Sequence, residues 1–261
     1  SVYYKEKPEF LNQAILSLWD KQTLKPDQIV LVKDGPLTTE LDAVIELWKK
    51  KLESVLILVS LQKNMGLAAA LNEGLKKCTY NLVARMDADD VALPHRFEKQ
   101  VDFMSRNADV SVSSGIIEEW SDDLSRKLCS RNLPLQSDDA FIFSKRRNPI
   151  SHPAAIFNKK HVLKSGGYPE IYPEDYALWI KMLHLGFKFG NVDDVLLKMR
   201  TGDDFYSRRG FKFLKGELKI IWLQKQYGML SGVEMFFNVI FRVLLRLSPS
   251  FLKKLAYKFT R

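Results

Sequence analysis

The chain has 261 residues, 46% of them hydrophobic and 27% charged, which excludes an intrinsically disordered chain and predicts one sizeable α/β domain with or without an appendage. Cys78 and Cys129 are the only cysteines and lack CxxC spacing, which excludes a disulfide framework and a thiolate zinc site. After residue 206 there are twelve Lys and Arg against two Glu, so the net positive charge of +9 lies in the tail. There the basic residues alternate with large apolar residues. This pattern favours an anionic membrane surface over nucleic acid as the partner.

The first hundred residues alternate between short apolar runs and stretches with helical spacing. This pattern is typical of parallel strands joined by crossover helices. Residues 1–4 match the end of a buried strand, whose beginning we expect upstream of Ser1. Further strands are predicted at residues 29–32, 55–59 and 81–86, with amphipathic helices before and between them.

Acidic residues follow two of these strands. Asp34 comes after the strand that ends at Val32, and Asp87, Asp89 and Asp90 come after the strand that ends at residue 86. Because ligands of open α/β sheets bind outside the carboxyl ends of the strands, we expect these acids to meet in one crevice. An Asp-x-Asp pair in that position suits a hard divalent cation on a diphosphate. Taken alone, the cluster is equally compatible with a solvated acidic turn.

From about residue 109 the apolar spacing becomes mixed, which indicates a second half of the domain. Residues 110–114 have the pattern of a strand, and residues 175–185 have that of a helix that ends before Gly186. Glu174 and Asp175 stand at the predicted start of this helix. An acid in this position is either a cap stabilised by the helix dipole or a general base.

The segment 233–247 carries its polar residues in one narrow stripe, since Glu234, Asn238, Arg242 and Arg246 recur at every fourth position and the rest is apolar. A bilayer-spanning helix needs about 20 apolar residues, and this segment is shorter and has two arginines. We therefore predict a basic amphipathic tail that lies on an anionic membrane surface. A core-packing helix or a dimer interface is the alternative.

Several short motifs occur in a fixed order along the chain. They are Ser1-Val2-Tyr3-Tyr4, Lys33-Asp34-Gly35, Asn64-x-Gly66-Leu67, Arg85-Met86-Asp87-Ala88-Asp89-Asp90, Asn148-Pro149-Ile150-x-His152-Pro153, Gly166-Gly167-Tyr168, Glu174-Asp175-Tyr176 and Leu196-Leu197-x-Met199-Arg200. The ordered set resembles the family 2 inverting glycosyltransferases over residues 1 to about 200. Within that family it is most similar to bacterial O-antigen and exopolysaccharide transferases of amylovoran-type pathways.

The resemblance implies an A-type glycosyltransferase fold, which is a Rossmann-like, mostly parallel sheet flanked by helices, followed here by a C-terminal amphipathic helical tail. It implies a nucleotide-sugar (donor) half over residues 1–108, an acceptor half with the catalytic base over residues 109–206, and membrane-associating helices over residues 207–261. The implied reaction moves a hexose from a UDP-sugar, with UDP-glucose or UDP-galactose favoured, to a lipid-diphosphate-linked sugar. This reaction belongs to bacterial surface polysaccharide synthesis at the cytoplasmic face of the inner membrane.

The resemblance also implies roles for single residues on the donor side. Tyr3 lines the base of the donor, Asp34 bonds the uracil or ribose, and Asp87 holds the ribose. Asp89 binds Mn²⁺ or Mg²⁺ on the diphosphate, and Arg85 reaches a phosphate or stiffens the acid cluster.

On the acceptor side, Asp175 is the candidate base that takes the proton of the attacking hydroxyl. Glu174 supports the loop. His152 is either a structural hydrogen-bonding group or a contact to the acceptor or the metal, and Trp179 either stacks on an acceptor sugar or fills the core. The run Lys145-Arg146-Arg147 is either a solvated charge run or part of an acceptor diphosphate site.

Two other functions remain to be weighed. A nucleotidyltransferase also uses a doubly wound sheet and paired acids, but no Gly-rich phosphate loop with basic residues is visible near the start of the sequence. A non-catalytic, membrane-associated binding protein of the same fold is disfavoured by the intact Asp87, Asp89 and Asp175.

Overall fold

The computed structural model describes residues 1–202 and 211–248, which have the α/β composition predicted from the sequence. The helices are α1 (Pro8–Trp19), α2 (Thr39–Leu52), α3 (Leu67–Lys77), α4 (Arg96–Arg106), α5 (Ser137–Ser144), α6 (Lys159–Lys164), α7 (Glu174–His184), α8 (Phe211–Gln226) and α9 (Gly232–Leu247). The strands are β1 (Ile29–Lys33), β2 (Leu56–Ser60), β3 (Leu82–Ala84), β4 (Val91–Ala92), β5 (Val110–Trp120), β6 (Lys127–Arg131), β7 (Ile156–Asn158) and β8 (Lys188–Arg200).

Two sheets form the framework. β1 and β2 pair in parallel, and Val2 extends this pairing through a parallel bridge to Lys33. The larger sheet has the strand order β3-β7-β5-β8-β4, and β6 is added to β5. Its long central strands β5 and β8 are parallel, whereas the pairs β3–β7, β5–β7, β4–β8 and β5–β6 are antiparallel.

The strand directions therefore differ from the mostly parallel sheet that the sequence predicted. Apolar runs show where strands lie but not which way they run. The connection between β5 and β6, residues 121–126, is too short for a parallel crossover, so these strands form a hairpin. β1 and β3 are not hydrogen-bonded to each other, and a largely apolar cavity of about 630 Å³ lies between them.

The chain has two main hydrophobic cores on either side of this division. One consists of side chains between Val2 and Ala88 and places α1 and α2 against β1 and β2. The other extends from Leu75 to Met229 and has the fully buried Trp179 of α7 near its centre. Each core holds the ends of its own strands, so the loops that follow those strands have fixed positions.

The polar stripe of α9 faces the protein body. Asn238 donates a hydrogen bond to the carbonyl of Lys145, and Arg242 donates one to the carbonyl of Arg146. Arg246 and Arg242 both form ion pairs with the buried Glu217 of α8, at 2.6 and 2.9 Å. The apolar face of α9 therefore points outward, which is the reverse of an ordinary surface helix.

The described part of the predicted tail forms the two helices α8 and α9. Residues 207–210 and 249–261 of the tail lie outside the described ranges. Among the helices within those ranges, none combines the length and apolarity needed to cross a bilayer. A capping box of Ser231 and Glu234 begins α9.

Candidate active site

Three carboxylates meet in the loop that follows β3. Oxygen atoms of Asp87, Asp89 and Asp90 lie within 4.8 Å of one another. Asp90 is buried, and its Oδ1 accepts a hydrogen bond from the backbone N–H of Arg200, whereas its Oδ2 has no hydrogen-bond partner among the described residues. A buried carboxylate oxygen without a partner is costly, so this cluster is incomplete without a proton or a cation.

The electrostatics of this cluster agree with its geometry. Burial raises the pKa of Asp89 to about 7, and the negative charges of Asp87 and Glu6 add to the shift. Burial, followed by the charges of Asp87 and Asp89, raises the pKa of Asp90 well above its usual range. Crowded acids of this kind become favourable ligands once a cation offsets their repulsion.

Arg85 contacts the cluster from the strand side. It forms an ion pair with Asp87, and its backbone carbonyl accepts a hydrogen bond of 2.6 Å from the buried Arg96. Burial alone would lower the pKa of Arg85, but the adjacent Asp87 raises it. The Nε and Nη1 groups of Arg85 are buried and have no hydrogen-bond acceptor within the described ranges. These two N–H donors are available to an anionic ligand.

A second acid cluster begins at α7. Glu174 and Asp175 are the first two residues of this helix, and their carboxylates lie within 4.8 Å of each other and of a ring nitrogen of His152. The Nδ2 of Asn148 donates a hydrogen bond of 2.7 Å to Oδ2 of Asp175. The cluster therefore joins a helix start to the loop that carries Asn148 and His152.

Burial is the largest cause of the pKa shifts in this second cluster. It raises the pKa of Asp175, although the backbone N–H of Tyr176, the charge of Arg85 and the hydrogen bond from Asn148 counteract part of the shift. Burial and the charge of Asp175 raise the pKa of Glu174 to about 7. A raised pKa makes a carboxylate a better proton acceptor while it remains ionised near neutral pH.

His152 and Trp179 lie behind this cluster. The Nε2 of His152 is 3.2 Å from the hydroxyl of Tyr168, and burial together with the charge of Arg85 lowers the pKa of His152 well below its usual range. Trp179 is 0% exposed and packs edge-on against His152 and Phe189. An acceptor sugar has no access to Trp179, so of its two predicted roles the structure supports filling the core.

Arg85 links the two acid clusters electrostatically. Its charge counteracts the burial that raises the pKa values of Asp89 and Asp90 on one side, and of Glu174 and Asp175 on the other. The charge of one buried guanidinium thus acts on acids from residues 87–90 and 174–175, which are far apart in sequence. The first cluster has the chemistry to bind a cation and a diphosphate, and the second has the chemistry to deprotonate a hydroxyl.

The comparison with known protein families agrees with this geometry. Residues 2–165 match the family described as "Glycosyl transferase family 2". The chain belongs to this family. It is therefore a glycosyltransferase, as the ordered motifs predicted.

Two relatives of this glycosyltransferase extend over nearly its whole length. It is 41% identical to the amylovoran biosynthesis glycosyltransferase AmsE of Erwinia amylovora, over 95% of this chain and 92% of that protein. It is 37% identical to the UDP-Gal:alpha-D-GlcNAc-diphosphoundecaprenol beta-1,3-galactosyltransferase of Escherichia coli, over 99% of this chain and 93% of that protein. Both relatives lie in the group that the sequence motifs indicated.

Solved structures confirm the A-type glycosyltransferase fold. A mannosyltransferase from Pyrobaculum calidifontis, solved with GDP-Man and Mn²⁺, has a TM-score of 0.66 and 16% identity over 85% of this chain and 62% of that chain. The S. aureus TarS fragment 1–349 has a TM-score of 0.64 and 14% identity over 93% of this chain and 70% of that chain. This glycosyltransferase thus spans less than two thirds of the mannosyltransferase.

Asp34 of the glycosyltransferase lies at the end of β1, as predicted. Its two carboxylate oxygens accept hydrogen bonds from the backbone N–H groups of Met65 (2.7 Å) and Gly66 (3.1 Å) at the start of α3. Gly35 has a φ of 89°, and a Cβ there would lie 2.6 Å from the backbone N of Asn64. Asp34 therefore fixes this loop, and its contact with the donor stays a prediction, as does that of the partly exposed Tyr3.

Sequence reasoning missed three residues of the site. Arg200 bonds the backbone carbonyl of Asp89, and its own N–H bonds Asp90. Glu6 adds its charge to the cluster at Asp89, and Asn148 holds Asp175. Arg200 and Asn148 do lie in the ordered motifs, which was the available signal. No comparable signal marked Glu6.

Proposed function

We propose that this glycosyltransferase moves a hexose, with inversion, from a UDP-sugar to a lipid-diphosphate-linked N-acetylhexosamine in bacterial surface polysaccharide synthesis. The observation that carries the proposal is the presence of two acid clusters, at residues 87–90 and at residues 174–175 with His152, and the charge of the buried Arg85 acts on both. UDP-galactose is the first donor to test because the E. coli relative is a UDP-Gal-dependent galactosyltransferase, and UDP-glucose is the second.

In the proposed reaction Asp175 is the base. The acceptor oxygen forms a bond to the anomeric carbon as its proton passes to the Asp175 carboxylate, and the bond from that carbon to the UDP oxygen breaks on the opposite face. Burial raises the pKa of Asp175, and Arg85 and Asn148 counteract part of this rise because both favour the charged form. Burial and the charge of Asp175 raise the pKa of Glu174 to about 7, and the proposed role of Glu174 is to support the loop at the start of α7.

The leaving UDP gains negative charge, and the donor half meets this demand with basic groups. The Nε and Nη1 donors of Arg85, which have no acceptor among the described residues, suit phosphate oxygens. Asp34, Asp87 and Tyr3 are proposed to line the uracil and ribose. We divide the chain accordingly into a donor half (1–108), an acceptor half (109–206) and a membrane-associating tail (207–261).

A divalent cation fits the first acid cluster. Asp87, Asp89 and Asp90 offer only hard oxygen atoms, and the buried Oδ2 of Asp90, which has no hydrogen-bond partner in the described part of the chain, suits a cation. We propose that Asp89 is the principal ligand and that the neighbouring Asp90 assists it. When bound, Mn²⁺ or Mg²⁺ would neutralise charge on the diphosphate.

The outward face of α9 supports attachment to the cytoplasmic face of the inner membrane. Seven large apolar side chains, each at least 39% exposed, occupy positions that share one side of the helix: Val233, Phe236, Phe237, Ile240, Phe241, Leu244 and Leu247. Monomeric proteins rarely expose an apolar patch of this kind without a partner. The basic tail favours anionic lipid as that partner. A lipid-borne acceptor is present at the same surface.

The decisive experiment screens the purified protein with Mn²⁺, a GlcNAc-diphosphate-lipid acceptor and four donors: UDP-galactose, UDP-glucose and their N-acetyl forms. We expect UDP release with one hexose donor and a product whose anomeric configuration is opposite to that of the donor by NMR. Release of pyrophosphate would instead support a nucleotidyltransferase. Absence of transfer with every donor would contradict the proposal.

A further inference from the structure

Arg200 is the last residue of β8, and its guanidinium joins three other parts of the chain. Its Nη1 donates a hydrogen bond to the carbonyl of Asp89, and its Nη2 donates one to Oε1 of Gln13 in α1. Its Nε donates one of 2.8 Å to the carbonyl of Asp122 in the connection between β5 and β6. The guanidinium also lies over the ring of Phe10, 4.1 Å from its centre. Arg200 therefore ties the loop of Asp89 to two neighbouring segments.

The backbone of Arg200 contacts the same loop. Its N–H donates a hydrogen bond of 2.9 Å to Oδ1 of Asp90. The carbonyl of Asp89 belongs to the planar peptide group that joins Asp89 to Asp90. A single residue thus holds the peptide between the two acids and one carboxylate oxygen of the second acid. The buried Oδ2 of Asp90, which has no hydrogen-bond partner in the described ranges, belongs to the acid cluster.

The strand β8 gives Arg200 a fixed position. Arg200 pairs with Trp120 of β5, and the N–H of the next residue, Thr201, donates a hydrogen bond of 2.8 Å to the carbonyl of Trp120. On the other side of β8, the strand β4 begins directly after Asp90 and pairs with residues 197–198. The acid loop is therefore held against the end of β8 both by Arg200 and by the strand that follows the loop.

These contacts bear on the metal site proposed above. Groups that hold metal ligands in place commonly change metal affinity by about 10- to 100-fold when they are removed. We propose that Arg200 is the positioning residue of this site and that it sets the relative orientation of the carboxylates of Asp89 and Asp90. The inference rests on the proposed function and concerns a residue that acts through the metal ligands.

The charge of Arg200 and its positioning role predict opposite effects. A guanidinium close to a cation site repels the cation, so its removal would strengthen Mn²⁺ binding if only the charge mattered. Removal weakens Mn²⁺ binding if the hydrogen bonds orient the ligands. A lysine keeps the charge but has one nitrogen, so it cannot reproduce the three side-chain hydrogen bonds of the arginine. The direction of the change therefore separates the two roles.

The test measures Mn²⁺ binding to the full chain, with Mn²⁺ alone and with Mn²⁺ and UDP, from the electron paramagnetic resonance signal of free Mn²⁺. Arg200→Gln and Arg200→Lys should each weaken Mn²⁺ binding on the order of 10-fold or more. Gln13→Ala removes one acceptor of the guanidinium and should weaken Mn²⁺ binding by about threefold. Because Gln13 is exposed on α1, this variant tests the inference even if the Arg200 variants do not fold.

Lys188→Gln is the matched control, because it removes a positive charge from the first residue of the same strand. Lys188 is exposed and pairs with Asp109 at 2.9 Å. This variant should bind Mn²⁺ as the unaltered protein does. Thermal unfolding of all variants checks that they fold.

Four results would overturn the inference. Unchanged or stronger Mn²⁺ binding by Arg200→Gln would exclude a positioning role, and full affinity of Arg200→Lys would assign the effect to charge. Unfolded Arg200 variants together with native affinity of Gln13→Ala would leave Arg200 as a structural residue only. No Mn²⁺ binding by the unaltered protein, even with UDP, would exclude the metal site itself. If the variants lose Mn²⁺ affinity as expected but the unaltered protein transfers no sugar, the inference stands and the proposed function fails.

Discussion

Asn148 donates a hydrogen bond of 2.7 Å to Asp175, and its own Oδ1 accepts one of 3.1 Å from the backbone N–H of Ile150. The first bond favours the charged form of Asp175, and the second fixes the amide so that its NH₂ group points at the carboxylate. Asn148 is therefore a positioning residue for the proposed base. Its effect on turnover is exerted through the protonation and orientation of Asp175.

Asn148→Ala should move the acid limb of the kcat/KM profile to higher pH. Asp175 must be ionised to accept a proton, and loss of the hydrogen bond raises its pKa further, so activity is lost at a higher pH as the pH falls. KM for the UDP-sugar should be unchanged. A variant with a lower unfolding temperature but an unshifted pH profile would show that Asn148 only stabilises the loop.

Asp175→Asn should reduce turnover by a factor on the order of 10² to 10⁴, because it removes the proton acceptor while preserving size. Calorimetry should show unchanged UDP binding. A structural cap would behave differently, since Asn begins helices about as well as Asp. Near-native turnover of this variant would remove Asp175 from the mechanism and direct attention to Glu174 and His152.

Asp89→Ala should abolish metal-dependent turnover and weaken UDP binding in the presence of Mn²⁺, since one of few protein ligands is lost. In the unaltered protein, Mn²⁺ affinity should fall as the pH drops below about 7, because protons compete for the Asp89 carboxylate. Isothermal titration with Mn²⁺ at several pH values measures this. Asp194→Ala is the control, as Asp194 pairs with Lys99 on the surface. Full activity with excess chelator would contradict the metal role.

The sequence predicted the acids of the site better than the groups that hold them. Asp87, Asp89 and Asp175 follow strand ends or begin a helix, and these positions are readable from local apolar spacing. The contacts of Asn148, Arg200 and Glu6 arise from packing between distant segments, which local spacing does not encode. Local spacing also could not predict that the polar stripe of α9 faces the protein body. That orientation depends on ion pairs between Glu217 and two arginines that lie 25 and 29 positions further along the chain.

Gly216→Ala should destabilise the protein by roughly 1–3 kcal/mol, because α8 crosses very close to the loop before α7. A Cβ at Gly216 would lie 1.9 Å from the carbonyl oxygen of Tyr172 and 2.8 Å from its carbonyl carbon, and these are backbone atoms rather than the end of a flexible side chain. Chemical unfolding measures the change. Gly232→Ala is the matched control because a Cβ there meets nothing within 4 Å. Equal stability of the two variants would mean that α8 is free to shift.

Phe237→Ser combined with Leu244→Ser should weaken binding to anionic vesicles by about tenfold or more, because burial of one such side chain contributes roughly 1.5–3 kcal/mol. Both side chains are more than 60% exposed on α9, so the unfolding temperature should change little. Leu47→Ser is the matched control, since Leu47 is 68% exposed on α2 at a distance in sequence from the tail. Flotation with vesicles measures binding. If the double variant floats as well as the control but changes the oligomeric state, the apolar face of α9 is a dimer interface instead.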